Sequence, residues 1–189
     1  PAAMLMAPEI LAHQDDHSHG ETQAFGEVHF PTSCQGVDAE FTVAVALLHS
    51  FGYEEARIAF GEVVAKDPAC AMAYWGIAMS WYHPLWAPPN ARELAAGSAA
   101  ATRAAQLDAA TKRERGFIDA INAFYRDADR IDQHTRAVSY RDAMQRLAVQ
   151  LPDDHEVQIF YALALLGTAP PGDTIFANQK QAAAILNGI

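Results

Sequence analysis

Histidine is the residue type whose placement in this sequence most suggests chemistry. The stretch "HQDDHSHG" sets His13, His17 and His19 beside Asp15 and Asp16. Imidazole and carboxylate groups are ligands for zinc and copper, and alternating histidines in a flexible arm can wrap a cation without a preformed site. The stretch therefore predicts a zinc- or copper-binding arm. A solvated leader that binds metal only adventitiously is the alternative.

Two further histidines, His49 and His83, lie 34 residues apart, each near the end of an apolar helix pattern. Helices that pack side by side lie about 10 Å apart, so imidazoles at equivalent positions can converge on one ligand or metal ion. A histidine near a helix C-terminus is also explained by the helix dipole and by capping of free carbonyls. The pair is a candidate ligand or metal site, and local helix stabilisation is the alternative.

Composition limits the classes of structure and partner. The chain has 189 residues, 51% of them hydrophobic, and its long Ala-, Leu-, Glu- and Arg-rich stretches predict an all-α fold. The formal charge of -10 argues against a nucleic-acid partner, because no basic cluster is present to neutralise phosphates. No stretch approaches the length of a membrane span. There is also no phosphate-binding glycine loop, HExxH or CxxC motif, which favours a binding protein over an enzyme.

The apolar positions repeat along the chain. Ala44 and Leu47 are followed 34 residues later by Ala78 and Trp81, and Pro68 lies between the two copies. This pattern resembles the tetratricopeptide repeat, in which small residues let two antiparallel helices approach and proline closes the unit. The "FPTSC" and "DPACAMAYWGIAMSW" segments are similar to those of bacterial tetratricopeptide repeat-containing proteins, a similarity that assigns no reaction.

The resemblance implies a TPR-like α-solenoid of about four antiparallel helix pairs over residues 37–189. Residues 1–36 would form an irregular leader, whose first residues resemble the end of a secretory signal with cleavage after Ala12. A periplasmic or secreted protein is therefore expected, with a cytoplasmic one as the alternative. A solenoid needs a terminal capping helix with a polar outer face, and no such helix follows the last apolar one. This predicts a longer protein or self-association through the C-terminal helix.

Later helix boundaries follow from local signals. Thr111 with Glu114 three residues on is a capping-box arrangement that predicts a helix start, and Asp153 or Asp154 can cap another. Further helices are expected over 91–110 and 134–151.

In this family the first helix of each pair lines a concave groove, which implies recognition of a partner protein, a peptide or a small ligand. The expected groove residues are His49, His83, Trp75, Tyr82 and Trp86, the aromatic ones lying beside a proline-rich insertion that can cover a pocket. A metal-dependent protein that uses the groove histidines or the leader remains the competing hypothesis.

Cys34 and Cys70 flank the first repeat. In a solenoid both helix starts lie on the same edge, so the two sulfurs can meet. A disulfide between them would fix the "FPTSC" segment and stabilise the fold by about 3 kcal/mol in the chain-entropy model. Two unrelated buried thiols are the alternative.

Overall fold

The computed structural model describes residues 28–189, and the predictions that fall on residues 1–27, including the metal arm and the signal remnant, lie outside that range. The described residues form helices and no strand, so the all-α class is confirmed for them. None of these helices combines the length and the hydropathy needed to cross a bilayer. In chain order they are α1 (Asp38–His49), α2 (Tyr53–Lys66), α3 (Ala71–Tyr82), α4 (Ala91–Gln106), α5 (Lys112–Tyr125), α6 (Gln133–Gln150), α7 (His155–Gly167) and α8 (Ala177–Leu186).

Each helix packs against the next helix in the chain, and α3 also contacts both α1 and α5. Short connections between contacting helices make neighbours run in opposite directions. The odd-numbered helices α1, α3 and α5 therefore lie side by side, with the even-numbered helices packed against them.

Side-chain caps set most of the helix starts. The capping box predicted at α5 is present, since Thr111 accepts from the amide of Glu114 and the Glu114 carboxylate accepts from the amide of Thr111. Asn90 and Glu93 form the same arrangement at α4, and Asp154 caps α7. These groups satisfy amides that have no partner within the helix.

Helix α4 is shorter than the sequence predicts. It ends at Gln106 rather than at Ala110, because Leu107 adopts an extended conformation (ψ 150°). Thr111 must also be extended to cap α5. The residues between the two helices therefore form the turn.

Two helical glycines allow close packing between helices. A Cβ at Gly76 of α3 would overlap the ring of Phe60 from α2, and one at Gly97 of α4 would overlap the ring of Tyr125 from α5. Phe60 is fully buried and Tyr125 donates a hydrogen bond to the carbonyl of Ala78 at 2.8 Å. Large rings thus lie directly on neighbouring helix backbones.

This packing predicts opposite effects for two glycine substitutions. Gly76→Ala should lower the free energy of unfolding by about 1–3 kcal/mol, because the added methyl group collides with a ring that cannot move in the packed core. Gly61→Ala on α2, where a Cβ meets nothing within 4 Å, should instead raise it by up to about 1 kcal/mol through helix propensity. Urea denaturation measures both, and equal effects would contradict the packing described.

Candidate functional site

Residues 28–35, here called the lead-in segment, run without helix or strand against the inner side of the helices. The ring of Phe30 is 4% exposed and lies 5.6 Å from Phe41 of α1, 5.3 Å from Trp75 of α3, 5.3 Å from Phe117 of α5 and 6.4 Å from Phe160 of α7, measured between ring centroids. These four partner rings, one from each odd-numbered helix, form the aromatic inner face. Phe30 fills its centre.

The start of α5 holds the residues that follow Phe30. The Glu114 carboxylate accepts from the Ser33 amide at 2.7 Å, from the Ser33 hydroxyl at 2.8 Å and from the Thr32 hydroxyl at 3.2 Å. It also completes the α5 capping box with Thr111, and it is 1% exposed. One buried carboxylate therefore ties the lead-in segment to a helix start.

These bonds change the acidity of Glu114. Burial alone would raise the pKa of its carboxyl group, but the hydrogen bonds from Ser33 and Thr111 favour the charged form and hold the pKa below its ordinary value.

Arg113, the preceding residue, contacts the other side of the segment. Its guanidinium lies 4.2 Å from the ring centroid of Phe30 and donates to the carbonyl of Pro31 at 3.1 Å. The same group forms an ion pair with Asp154, the cap of α7, at 2.5 Å. Arg113 thus joins the lead-in segment, α5 and α7.

A disulfide closes the end of the lead-in segment. Cys34 and Cys70, which the sequence offers as a pair, are bonded in the structure, with Cα atoms 4.8 Å apart. Cys70 is also the N-cap of α3, where its sulfur accepts from the amide of Ala73. The amide of Gln35 donates to Asp67 at 2.9 Å, so the segment is fixed on both sides of the bond.

A cavity of about 200 Å³ remains open beside the aromatic inner face. Its wall consists mainly of apolar side chains from α1, α3, α7 and the loop after α3, among them Leu48, Met79, Leu85 and Leu163. Phe160 belongs both to this wall and to the aromatic inner face. Phe160 therefore separates the cavity from the ring of Phe30.

His49 lies in the wall of this cavity. Its Nε2 lies 2.8 Å from Oε2 of the buried Glu156, and its ring lies 5.1 Å from Phe160. His83 packs on Tyr53 at 4.7 Å and follows α3 in a left-handed conformation. His49 is the last residue of α1, whereas α3 ends before His83, so the two histidines have different backbone conformations; a site shared by both stays a prediction.

The three aromatic groove candidates occupy different environments. Trp75 is fully buried against Phe30 as part of the aromatic inner face, and Tyr82 is buried against Phe124. Trp86 is 60% exposed in the loop after α3, where it contacts Phe51 beside the cavity. Of the three, Trp86 alone is available at the surface.

Metal-ligating groups gather only once in the part of the chain that the structure describes. Cys34, Asp67 and Cys70 lie within 4.8 Å of one another, but both sulfurs belong to the disulfide and are not thiolate ligands. A polar hollow of about 550 Å³ near the lead-in segment has His29 and His155 in its wall. Over residues 28–189, neither these histidines nor His49 and His83 join any other group of three ligands that close together.

Phe30 is the site residue that sequence reasoning missed. Phe30 precedes the first helix, so the sequence predicts that it belongs to the irregular leader. It is not part of any periodic apolar pattern that would predict its burial. The one available signal was a Phe-Pro pair close to a cysteine that can fix it to the helices.

No family model, curated protein or solved structure matches this chain.

The acidity of Glu114 leads to a pH-dependent prediction. A carboxylate whose pKa is lower in the folded state than in the unfolded state stabilises the fold at pH values above its ordinary pKa of 4.5. That stabilisation is lost as the pH falls through the lower pKa of the folded state. Glu114→Gln should therefore be less stable than wild type at pH 7 by about 1–3 kcal/mol. The difference should shrink below pH about 4.5. Denaturation at several pH values measures it, and a difference that stays constant to pH 3 would argue against a charged Glu114.

The disulfide leads to a second prediction. Cys34→Ser should lower the free energy of unfolding by about 3–4 kcal/mol in the chain-entropy model, because the closed loop between the cysteines is released. Adding a reductant should destabilise wild type by a similar amount and leave the variant unchanged. Thiol titration of denatured wild type without reductant should find no free thiol; two thiols would refute the bond.

Proposed function

We propose that this chain is a TPR-like helical-repeat module that binds an extended segment of a partner protein on the inner face of its odd-numbered helices. Its repeat spacing, the contacts of α3 with both α1 and α5, and the close helix approach at Gly76 support this assignment. Small residues that admit close approach are expected where repeat helices pack.

The observation that carries the proposal is the way the lead-in segment is held. An extended stretch of chain inserts one aromatic anchor among four rings, and both its carbonyl at Pro31 and its amide at Ser33 are bonded to side chains of α5. Anchor side chains in pockets and hydrogen bonds to the peptide backbone are the usual elements of peptide recognition. The chain thus carries an intramolecular example of the ligand we propose.

The bonds of the lead-in segment define the partner's chemistry. The anchor is an aromatic residue under the Arg113 guanidinium, and the residues that follow it donate to Glu114, as Thr32 and Ser33 do. A partner segment with Phe-Pro followed by hydroxyl residues reproduces every one of these contacts. Such a segment must displace the lead-in segment to bind.

The disulfide supports an oxidising location. Disulfides persist in secreted and periplasmic proteins and are rare in the cytosol of most organisms. We therefore propose that the module acts in the periplasm or outside the cell.

Binding can be tested with a peptide that copies residues 28–33, Val-His-Phe-Pro-Thr-Ser. The substitution Phe30→Ala empties the anchor site and leaves the disulfide in place. It should lower the free energy of unfolding by about 3–5 kcal/mol. The peptide should raise the melting temperature of this variant in a saturable way and bind it at least tenfold more tightly than it binds wild type.

A matched peptide with alanine in place of phenylalanine should have no effect on either protein. Phe30→Leu provides a milder variant if Phe30→Ala does not fold. The proposal fails if both peptides act alike, or if the phenylalanine peptide binds no folded variant.

A further inference from the structure

We propose that the reduced form of this chain binds a zinc ion between Cys34, Asp67 and Cys70. In the disulfide form the two sulfurs are bonded to each other, so they are not available to a metal ion. The inference does not rest on the peptide-binding function proposed above, because no partner segment takes part in it.

The three ligand groups already lie together. The two sulfurs and one carboxylate oxygen of Asp67 are all within 4.8 Å of one another. Two thiolates bound to one tetrahedral zinc ion are about 3.8 Å apart, because each Zn–S bond is about 2.3 Å long. The Cα atoms of Cys34 and Cys70 are 4.8 Å apart, so the reduced sulfurs can reach this separation through rotation of their side chains.

Asp67 is held in place by contacts that do not involve the disulfide. Its Oδ2 accepts from the amide of Gln35, the residue after Cys34, at 2.9 Å. Its Oδ1 accepts from the amide of Ala69, the residue before Cys70, at 3.1 Å. Each carboxylate oxygen keeps a further lone pair that a cation can use. These bonds place the carboxylate between the two cysteine-bearing stretches, and they can persist when the disulfide is broken.

The spacing of Asp67 and Cys70 is itself typical of a metal site. The amide of Cys70 donates to the carbonyl of Asp67 at 3.0 Å, which closes a tight turn between the two residues. Ligand pairs separated by two residues recur in structural zinc sites, where both side chains point to one ion. The sequence "DPAC" has a carboxylate where the usual pair has its first cysteine.

Both sulfurs lie where a negative charge is stabilised. Cys70 is the N-cap of α3, and its sulfur accepts from the amide of Ala73 at 3.2 Å. The sulfur of Cys34 accepts from the hydroxyl of Thr32 at 3.1 Å. Hydrogen-bond donors and a helix N-terminus favour the thiolate over the thiol, and the thiolate is the form that binds metal ions.

The set of donor atoms favours zinc over other common cations. Magnesium and calcium prefer oxygen ligands, so two thiolates select against both. Thiolates bind copper(I) as well as zinc, but the carboxylate adds an oxygen ligand that suits zinc better. Both cysteines are buried whereas Asp67 is only half-buried, so a cation can approach from the carboxylate side. The fourth position of a tetrahedral ion is left to water or to the hydroxyl of Thr32.

The disulfide and the zinc site exclude each other. A dithiol reductant converts the disulfide to two thiols and itself becomes a disulfide, and zinc binding then releases the two thiol protons. In the reverse direction a disulfide oxidant takes two electrons from the thiolates, the bond between Cys34 and Cys70 forms, and the zinc ion leaves. Either link holds the lead-in segment beside the start of α3. The segment is thus fixed there under reducing as well as oxidising conditions.

Zinc binding by the full chain in its two redox states tests the proposal. A phosphine reductant yields two thiols and becomes a phosphine oxide with the oxygen of water. In a competition titration against a chromophoric chelator, reduced wild type should bind one zinc ion more per chain than oxidised wild type. Zinc bound by histidines elsewhere in the chain contributes to both forms and cancels in this difference. Cobalt(II) should give the sulfur-to-metal charge-transfer band of thiolate ligation in the reduced form only.

The variant Asp67→Asn gives the decisive comparison. Its side-chain amide oxygen can still accept from a backbone amide but is a poor zinc ligand, so zinc affinity of the reduced chain should fall by about tenfold or more. Asp108→Asn, in the exposed turn between α4 and α5 and outside the site, should leave the affinity unchanged.

A folding measurement keeps the test decisive if the reduced chain unfolds. Zinc should then restore its helical circular dichroism and raise its melting temperature in a saturable way. The double variant Cys34→Ser with Cys70→Ser should show no such response. Equal zinc binding by oxidised and reduced wild type, absence of the charge-transfer band, an unchanged affinity in Asp67→Asn, or a reduced chain that neither binds zinc nor refolds with it overturns the proposal.

Discussion

Burial of the Phe30 ring is the interaction on which the inner side of this structure depends. Removing one phenylalanine side chain from water stabilises a fold by about 1.5–3 kcal/mol, and well-placed aromatic pairs add about 0.5–1.5 kcal/mol each. The ring touches α1, α3, α5 and α7 together, so it links helices that are not neighbours in the chain. Arg113 and Glu114 reinforce the same contact from the start of α5.

The inner side is thereby divided into two parts. One part is filled by the lead-in segment and fixed by the disulfide, and the other is the open cavity at the ends of α1 and α3. Phe160 forms part of both, so its side-chain position is shared between a filled space and an empty one. The inner side of the described helices therefore presents a surface that is already occupied by the lead-in segment, with a cavity of about 200 Å³ beside it.

Local signals in the sequence predict the helices well, and contacts between distant residues explain where prediction stops. The Thr111–Glu114 box and the Asp154 cap of α7 depend on residues a few positions apart, and both appear as expected. The early end of α4 depends on the path to the next helix, which composition does not encode. The in-register spacing of His49 and His83 does not foresee that His49 ends α1 while His83 follows α3 in a left-handed conformation, because helix ends depend on the connection that follows. Phe30 could not be placed, because its partners lie on four helices spread over most of the chain.

The lead-in segment also has a consequence for the order in which the chain can assemble during synthesis. The disulfide partner of Cys34 lies just before α3, so this bond can form once α1, α2 and Cys70 have been made. The last ring around Phe30 belongs to α7, which emerges far later. Early oxidation would hold Phe30 close to an enclosure that still lacks the rings of α5 and α7, shortening the search when these helices arrive. A product that terminates before α7 would instead present this ring to water beside an apolar surface, a form prone to aggregation.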